Sequence, residues 1–163
     1  MNTFVKYIAI FLISMFPIIE LRGAIPVGVA WDLNEALIYV ICIIGNMLPV
    51  PFIYLFARKV LVWGSDKKYI GKFFSFCLEK GEKGGKKLEE KAKKGGLFIA
   101  LMLFVAIPLP GTGAWTGTLA ASMLNMGFKR SSLAVMLGVL IAGVLVGLAS
   151  MGALGVFNNF FSV

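Results

Sequence analysis

The chain has 163 residues, 59% of them apolar, and sixteen Lys+Arg against eight Asp+Glu give a net charge of +8. A mean hydropathy of +0.89 excludes an ordinary soluble domain, which is about 45–50% apolar even with glycine counted, and excludes a disordered chain. Residues 58–96 hold twelve of the basic and five of the acidic residues, leaving Lys6, Glu20, Arg22, Asp32, Glu35, Lys129 and Arg130 as the charges of everything else.

That distribution fits a small integral membrane protein with one hydrophilic loop, and not a nucleic-acid-binding module. Histidine is absent, which removes Ser/His/Asp and Cys/His nucleophilic sites and histidine-ligated zinc or haem. No nucleophile–base pair or metal cluster is evident, so no enzyme activity and no cofactor are expected. Cys42 lies in an apolar run and Cys77 in the basic stretch, so two free thiols are expected rather than a disulfide.

The first apolar block, 3–31, is interrupted by Pro17, Glu20, Arg22, Gly23 and Pro26. Its opening superficially resembles a signal peptide, but Glu20-Leu21-Arg22-Gly23 stands where a small-residue cleavage site would be, so it is read as structure. At about 1.5 Å per residue its first arm, 3–17, reaches roughly 22 Å, short of the roughly 30 Å of hydrocarbon. Glu20 and Arg22 are its sharpest feature. An ionisable side chain in an apolar block costs of order 2.5–3.5 kcal/mol and usually faces an interior or a wet cavity. Glu20 is the candidate proton or cation site. Arg22 offers a fork of donors suited to an anionic head group. The alternative is that both sit near the interface or neutralise each other for structural reasons; two residues apart, they share no regular helical face. Gly23 and Pro26 make an unbroken helix there doubtful.

The second block, 36–57, is long enough to span and contains Gly45, Asn46, Pro49 and Pro51. A bend is expected at the prolines, with Asn46 bonding backbone groups exposed by it, as structural glue more than as a binding residue. Within the basic stretch, Ile70, Phe73, Phe74 and Cys77 share one helical face flanked by Lys67, Lys68, Lys72 and Lys80. An amphipathic helix lying on anionic headgroups is the reading, and residues 81–96 read as a short solvated helix and linker.

The third block, 97–127, is broken by Pro108, Pro110, Gly111 and Gly113, and its first arm reaches only roughly 17 Å. Pro108, Pro110, Gly111, Thr112, Gly113, Trp115 and Thr116 form a turn in which freed carbonyls and the two threonine hydroxyls line a substrate or ion path, or else simply a packed turn of small residues. The fourth block, 131–157, carries no charge and no proline and spans. Its Gly143…Gly147 spacing suits packing on block two or a homo-oligomer seam.

Blocks one and three are each either a kinked full crossing or a re-entrant hairpin. The enrichment of Lys and Arg on the cytoplasmic side puts 58–96 inside, and Lys129 and Arg130 join it only if block three returns to its own side. Lys6 argues the other way. The favoured architecture is all-α: a hairpin (1–34), a transmembrane helix (35–57), a cytoplasmic basic loop (58–96), a second hairpin (97–128) and a second transmembrane helix (129–158). Phe16-Pro17 falls on Ile107-Pro108 at an offset of 91, so the halves read as inverted repeats of the kind transporters use.

Ile19-Glu20-Leu21-Arg22-Gly23-Ala24-Ile25-Pro26 and Phe104 to Gly117 together resemble the small multidrug export protein family over nearly the whole chain. That family is distantly similar to the DedA/VTT membrane proteins. The resemblance implies re-entrant hairpins in inverted repeat, with Glu20 and Arg22 as the charged pair of the first hairpin and Pro110 to Gly117 as the second tip. It also implies functions among drug export with proton coupling, recycling of polyprenyl-phosphate carrier lipid, and lipid scrambling. This chain departs from DedA proteins proper in having no acidic or arginine residue at its second tip. The expected partners are membrane lipids and a small-molecule or lipid substrate in the cell membrane. Three functions compete: a transporter of a small cation, drug or anionic head group, an uncoupled scramblase, and a non-transport scaffold recruiting lipid or protein through its basic loop.

Overall fold

A computed structural model describes residues 2–17, 19–67, 71–72, 75, 95–109 and 112–161. Among these residues there is no strand, and seven helices follow one another: α1 (Thr3–Met15), α2 (Glu20–Ala30), α3 (Glu35–Met47), α4 (Val50–Ser65), α5 (Gly96–Ala106), α6 (Ala114–Met123) and α7 (Phe128–Phe161). Two stretches, Glu35–Phe56 and Phe128–Gly152, are long and apolar enough to cross a membrane. The exterior agrees with that use. Phe4, Leu12, Phe52, Leu103, Val144 and Leu148 on six positions around the surface are all exposed, far more bare apolar surface than a water-soluble monomer carries.

Helices in such a solvent gain little from burying apolar area against one another. Close packing at small residues and hydrogen bonds across helices hold them instead. Gly45 of α3 lies so near α1 that a methyl group there would meet Ser14 Oγ and stand 2.9 Å from the Phe11 carbonyl. Gly138 of α7 is pressed on α5, where a methyl would be 2.7 Å from the Met102 carbonyl. Tyr39 of α3 crosses to α7 and donates to the Leu140 carbonyl at 2.7 Å, its ring covering Gly143. Gly143 therefore packs within the chain on the second block, and Gly147 faces open space.

The regular helix of the second block is interrupted at Leu48 and Pro49, where the bend is expected. Asn34 caps α3 by accepting from the Leu37 amide at 3.1 Å, and α3 ends at Met47. Pro49 and Pro51 lack amide hydrogens, yet Leu48 still donates to Ile44 and Ile53 to Pro49, so the backbone stays near-helical through the kink. α4 then runs past Arg58 and Lys59 to Ser65. The first part of the basic stretch is thus helix, because lysine and arginine are good helix formers and a helix need not end where its charge begins. Of the expected amphipathic helix, Gly71, Lys72 and Ser75 are described and are helical; Phe73, Phe74, Phe76, Cys77 and the 81–94 linker lie outside the described residues.

Contacts sort the molecule into two ends. At one, Lys6 Nζ donates to the Trp31 carbonyl at 3.2 Å and the Asn34 amide to Tyr7 Oη at 3.2 Å, so the start of α1 lies beside the end of α2, with Asp32 and Glu35. At the other, Tyr54 Oη donates to the Met126 carbonyl, its ring meets Phe128 edge-on at 5.3 Å, and Ser122 Oγ donates to the Tyr54 carbonyl at 3.0 Å. Lys129 and Arg130 therefore sit at the same end as the second half of α4. α1 with α2, and α5 with α6, each double back around a break, at 16–19 and at 107–113. The ends of α1 and α5 are 91 residues apart but the starts of α2 and α6 are 94 apart, so the second break is three residues longer and the sequence match slips after the proline.

Candidate functional site

The two breaks face each other in the middle of the molecule, and the residues singled out from sequence are what joins them. Glu20 opens α2 with φ of +51°, a left-handed conformation that is uncommon for a residue with a side chain and costs of order 1–3 kcal/mol unless its surroundings impose it. Its side chain is buried. The carboxylate reaches the start of α6, where Oε1 accepts from the Trp115 amide at 3.1 Å and the Ala114 amide also faces it. Unpaired amides and the positive pole of the helix dipole make a helix start the natural seat for an anion. Gly113, at φ 158° and ψ −172°, keeps that seat open. A methyl group on it would fall 2.7 Å from Glu20 Cδ and nearer still to Oε2.

Arg22 does the converse. Its guanidinium donates to the carbonyls of Ile107 at 3.0 Å, Val105 at 3.3 Å and Leu109, which are acceptors freed at the end of α5 and in the break beyond it. A cation at the negative pole of a helix and a fork of donors over several carbonyls are both favourable. So the hydrogen bonds of each charge in the first tip go to the second tip rather than to the other charge. Each takes the helix end of opposite sign. This answers why the second tip needs no charged residue: its two helix ends supply the countercharge.

Thr112 closes the turn, its Oγ1 donating toward the carbonyls of Ile107 at 2.7 Å and Leu109 at 2.9 Å. Among the described residues, the carbonyls of Val105, Ile107 and Leu109 are therefore taken up by Arg22 and Thr112. Trp115 also ties the tips together through its indole, Nε1 donating to the Met15 carbonyl at 3.2 Å. Thr116 is exposed, with only a long 3.5 Å contact to the Gly113 carbonyl.

Beside these contacts lies a cavity of about 380 Å³, lined by Pro17, Glu20, Ile53, Thr112, Trp115, Thr116 and Leu119. It is apolar and aromatic with one carboxylate and two hydroxyls, the usual make-up of a small-molecule site. Ile53 and Leu119 were not singled out from sequence, and Pro17 was read only as a break; apolar residues in apolar blocks give no signal of their own. Gly23 and Pro26 are on α2 away from the cavity lining, Gly23 packed against Ile19. Pro108 is exposed in the break, and Pro110 and Gly111 lie outside the described residues. Asn46 is 1% exposed with neither its amide nor its carbonyl oxygen hydrogen-bonded. The bond to a broken backbone expected of it is not made, since the near-helical kink leaves its side chain pointing into the core.

No curated protein and no solved structure matches the chain. The model of one family does, that of the putative small multi-drug export proteins, over residues 20–145. The match begins at Glu20, takes in Arg22 and the whole second tip and covers more than half of the sequence, and with two apolar spans and a lipid-compatible exterior it makes this chain a membrane protein of the small multi-drug export family.

Proposed function

We propose that the protein carries a lipophilic, cationic small molecule across the membrane through the cavity between its two tips, with Glu20 binding the cargo and a proton in turn. The observation that carries this reading is the lining of the cavity. Glu20 opens onto it beside Trp115, so a cation finds a carboxylate and an aromatic wall together, whereas Arg22 is absent from the lining and its Nη1 and Nη2 donate to three carbonyls. That difference favours a cation over the anionic head group of a lipid. An aromatic face adds cation–π attraction of roughly 0.5–2 kcal/mol, and the apolar walls accept hydrocarbon.

The arrangement proposed in the membrane is a pair of re-entrant hairpins entering from opposite faces, each followed by a spanning helix, as in transporters built of inverted repeats. Its support is arithmetic and charge. None of α1, α2, α5 and α6 exceeds 13 residues, about 20 Å of helix against about 30 Å of hydrocarbon. The end with Lys59, Lys67, Lys129 and Arg130 is basic and the end with Asp32 and Glu35 is not, which supports a cytoplasmic side for the 58–96 segment. Broken backbone at mid-depth is tolerated where protein covers it, and the tip-to-tip bonds provide that cover.

In proteoliposomes with an imposed pH gradient, the wild type should accumulate a fluorescent lipophilic cation. Glu20→Gln, which keeps an oxygen for the Trp115 amide, should abolish gradient-driven uptake while retaining the wild-type circular dichroism and elution. Undiminished uptake by a folded Glu20→Gln protein sinks the proposal.

A further inference from the structure

A second and larger cavity, of about 510 Å³, lies away from the tips between α4 and the last turn of α6, lined by Tyr54, Leu55, Lys59, Val62, Trp63 and Ser122. Its position relative to the spans is telling. The apolar run of the second block gives way to charge at Arg58 and Lys59. On that reading Tyr54 and Leu55 belong to the apolar part of the helix, and Lys59 and Trp63 to the interfacial turns that follow, where aromatic and basic residues collect. The polar atoms of its floor are occupied: Tyr54 Oη by the Met126 carbonyl, and Ser122 Oγ by the Tyr54 carbonyl. Among the described residues Lys59 is the charged group in the lining, and the contact shown for its ammonium is with the Phe56 ring, 5.8 Å from the centroid. Lys67 stands beside it, its ammonium 4.3 Å over the Trp63 ring, and at the same end of the molecule Lys129 and Arg130 follow Phe128, which packs on Tyr54. Asp66 is the acid among them.

An apolar trough at the basic end of the molecule, headed by the Lys59 ammonium and with Lys67 over its Trp63 wall, has the shape and charge of a lipid site. We propose that this groove holds one anionic phospholipid of the basic-side leaflet, its phosphate on Lys59 and an acyl chain along Leu55 and Val62. Charge complementarity selects the occupant. A zwitterionic lipid brings its own cation to an already basic rim, and a cationic cargo of the kind proposed for the tip cavity is repelled by Lys59. The site is thus separate from the transport cavity in both place and charge.

The test is native mass spectrometry of the full chain released from nanodiscs of equal phosphatidylglycerol and phosphatidylcholine. The wild type should retain one phosphatidylglycerol in preference to phosphatidylcholine. Lys59→Gln should lower that retention about fivefold, the effect of one interfacial lysine on an anionic lipid, and Leu55→Trp, which fills the trough, should lower it as well. Lys6→Gln at the opposite end should leave it unchanged, and so should Glu20→Gln, whether or not that variant transports. Equal retention of the two lipids, wild-type retention by Lys59→Gln, or an equal loss in Lys6→Gln would each overturn the proposal.

Discussion

Glu20 bears two local penalties, a left-handed backbone and a carboxylate withdrawn from solvent. Both are met at one point, the start of α6, through the Trp115 amide and the space left by Gly113. This makes Gly113 the residue on which the site's geometry is most exposed to substitution. Gly113→Ala places a methyl group against the Glu20 carboxylate and forces an unfavourable backbone. It should destabilise the protein by about 1–3 kcal/mol and lower transport more than its loss of stability explains. A melting curve in detergent alongside uptake at equal folded protein would measure both. Glu20 and Arg22 stood out in the sequence because charge inside an apolar block is expensive. Their partners did not. Val105, Ile107 and Leu109 act through backbone carbonyls, and every residue has one, so side-chain identity carries no trace of the role.

At the scale of helices, the positions of the breaks were readable from Pro17, Pro108 and the glycines, because proline and glycine mark where a helix can end. The length of each break was not, since three extra residues in the second one leave no compositional mark. Hydropathy also ended the second block near residue 57, whereas α4 continues to Ser65; a hydropathy reading follows side-chain polarity, and the backbone ladder does not. The small-residue pair of α7 is likewise ambiguous as a pattern and distinct as structure. A leucine at Gly143 would collide with the Tyr39 ring, 2.6 Å from even a first methyl, while Gly147 has nothing within 4 Å. Gly143→Leu should therefore cost about 1–3 kcal/mol or more, and Gly147→Leu should be within about 0.5 kcal/mol of wild type. Thermal unfolding of the two variants in the same detergent compares them directly, and similar melting temperatures would contradict the α3–α7 packing.

For the whole molecule, the contacts of Lys6 with Trp31 and of Tyr54 with Met126 sort the chain into an end with Asp32 and Glu35 and an end with the lysines. With Cys42 and Cys77 replaced by alanine, single cysteines at Asp66 and Lys129 should react with an impermeant maleimide from the same face of the membrane, and one at Asp32 from the opposite face. The account rests most heavily on the meeting of the two tips, Glu20 and Arg22 each holding the oppositely charged helix end of the other hairpin. Pro17 and Thr116 come from different tips and line the same cavity. In the same cysteine-free background, Pro17→Cys and Thr116→Cys should be joined by a short bifunctional thiol reagent in native membranes, within one chain and with high yield. Failure of that pair to cross-link, in a protein whose single cysteines both react, would contradict the joined tips and the transport site built on them.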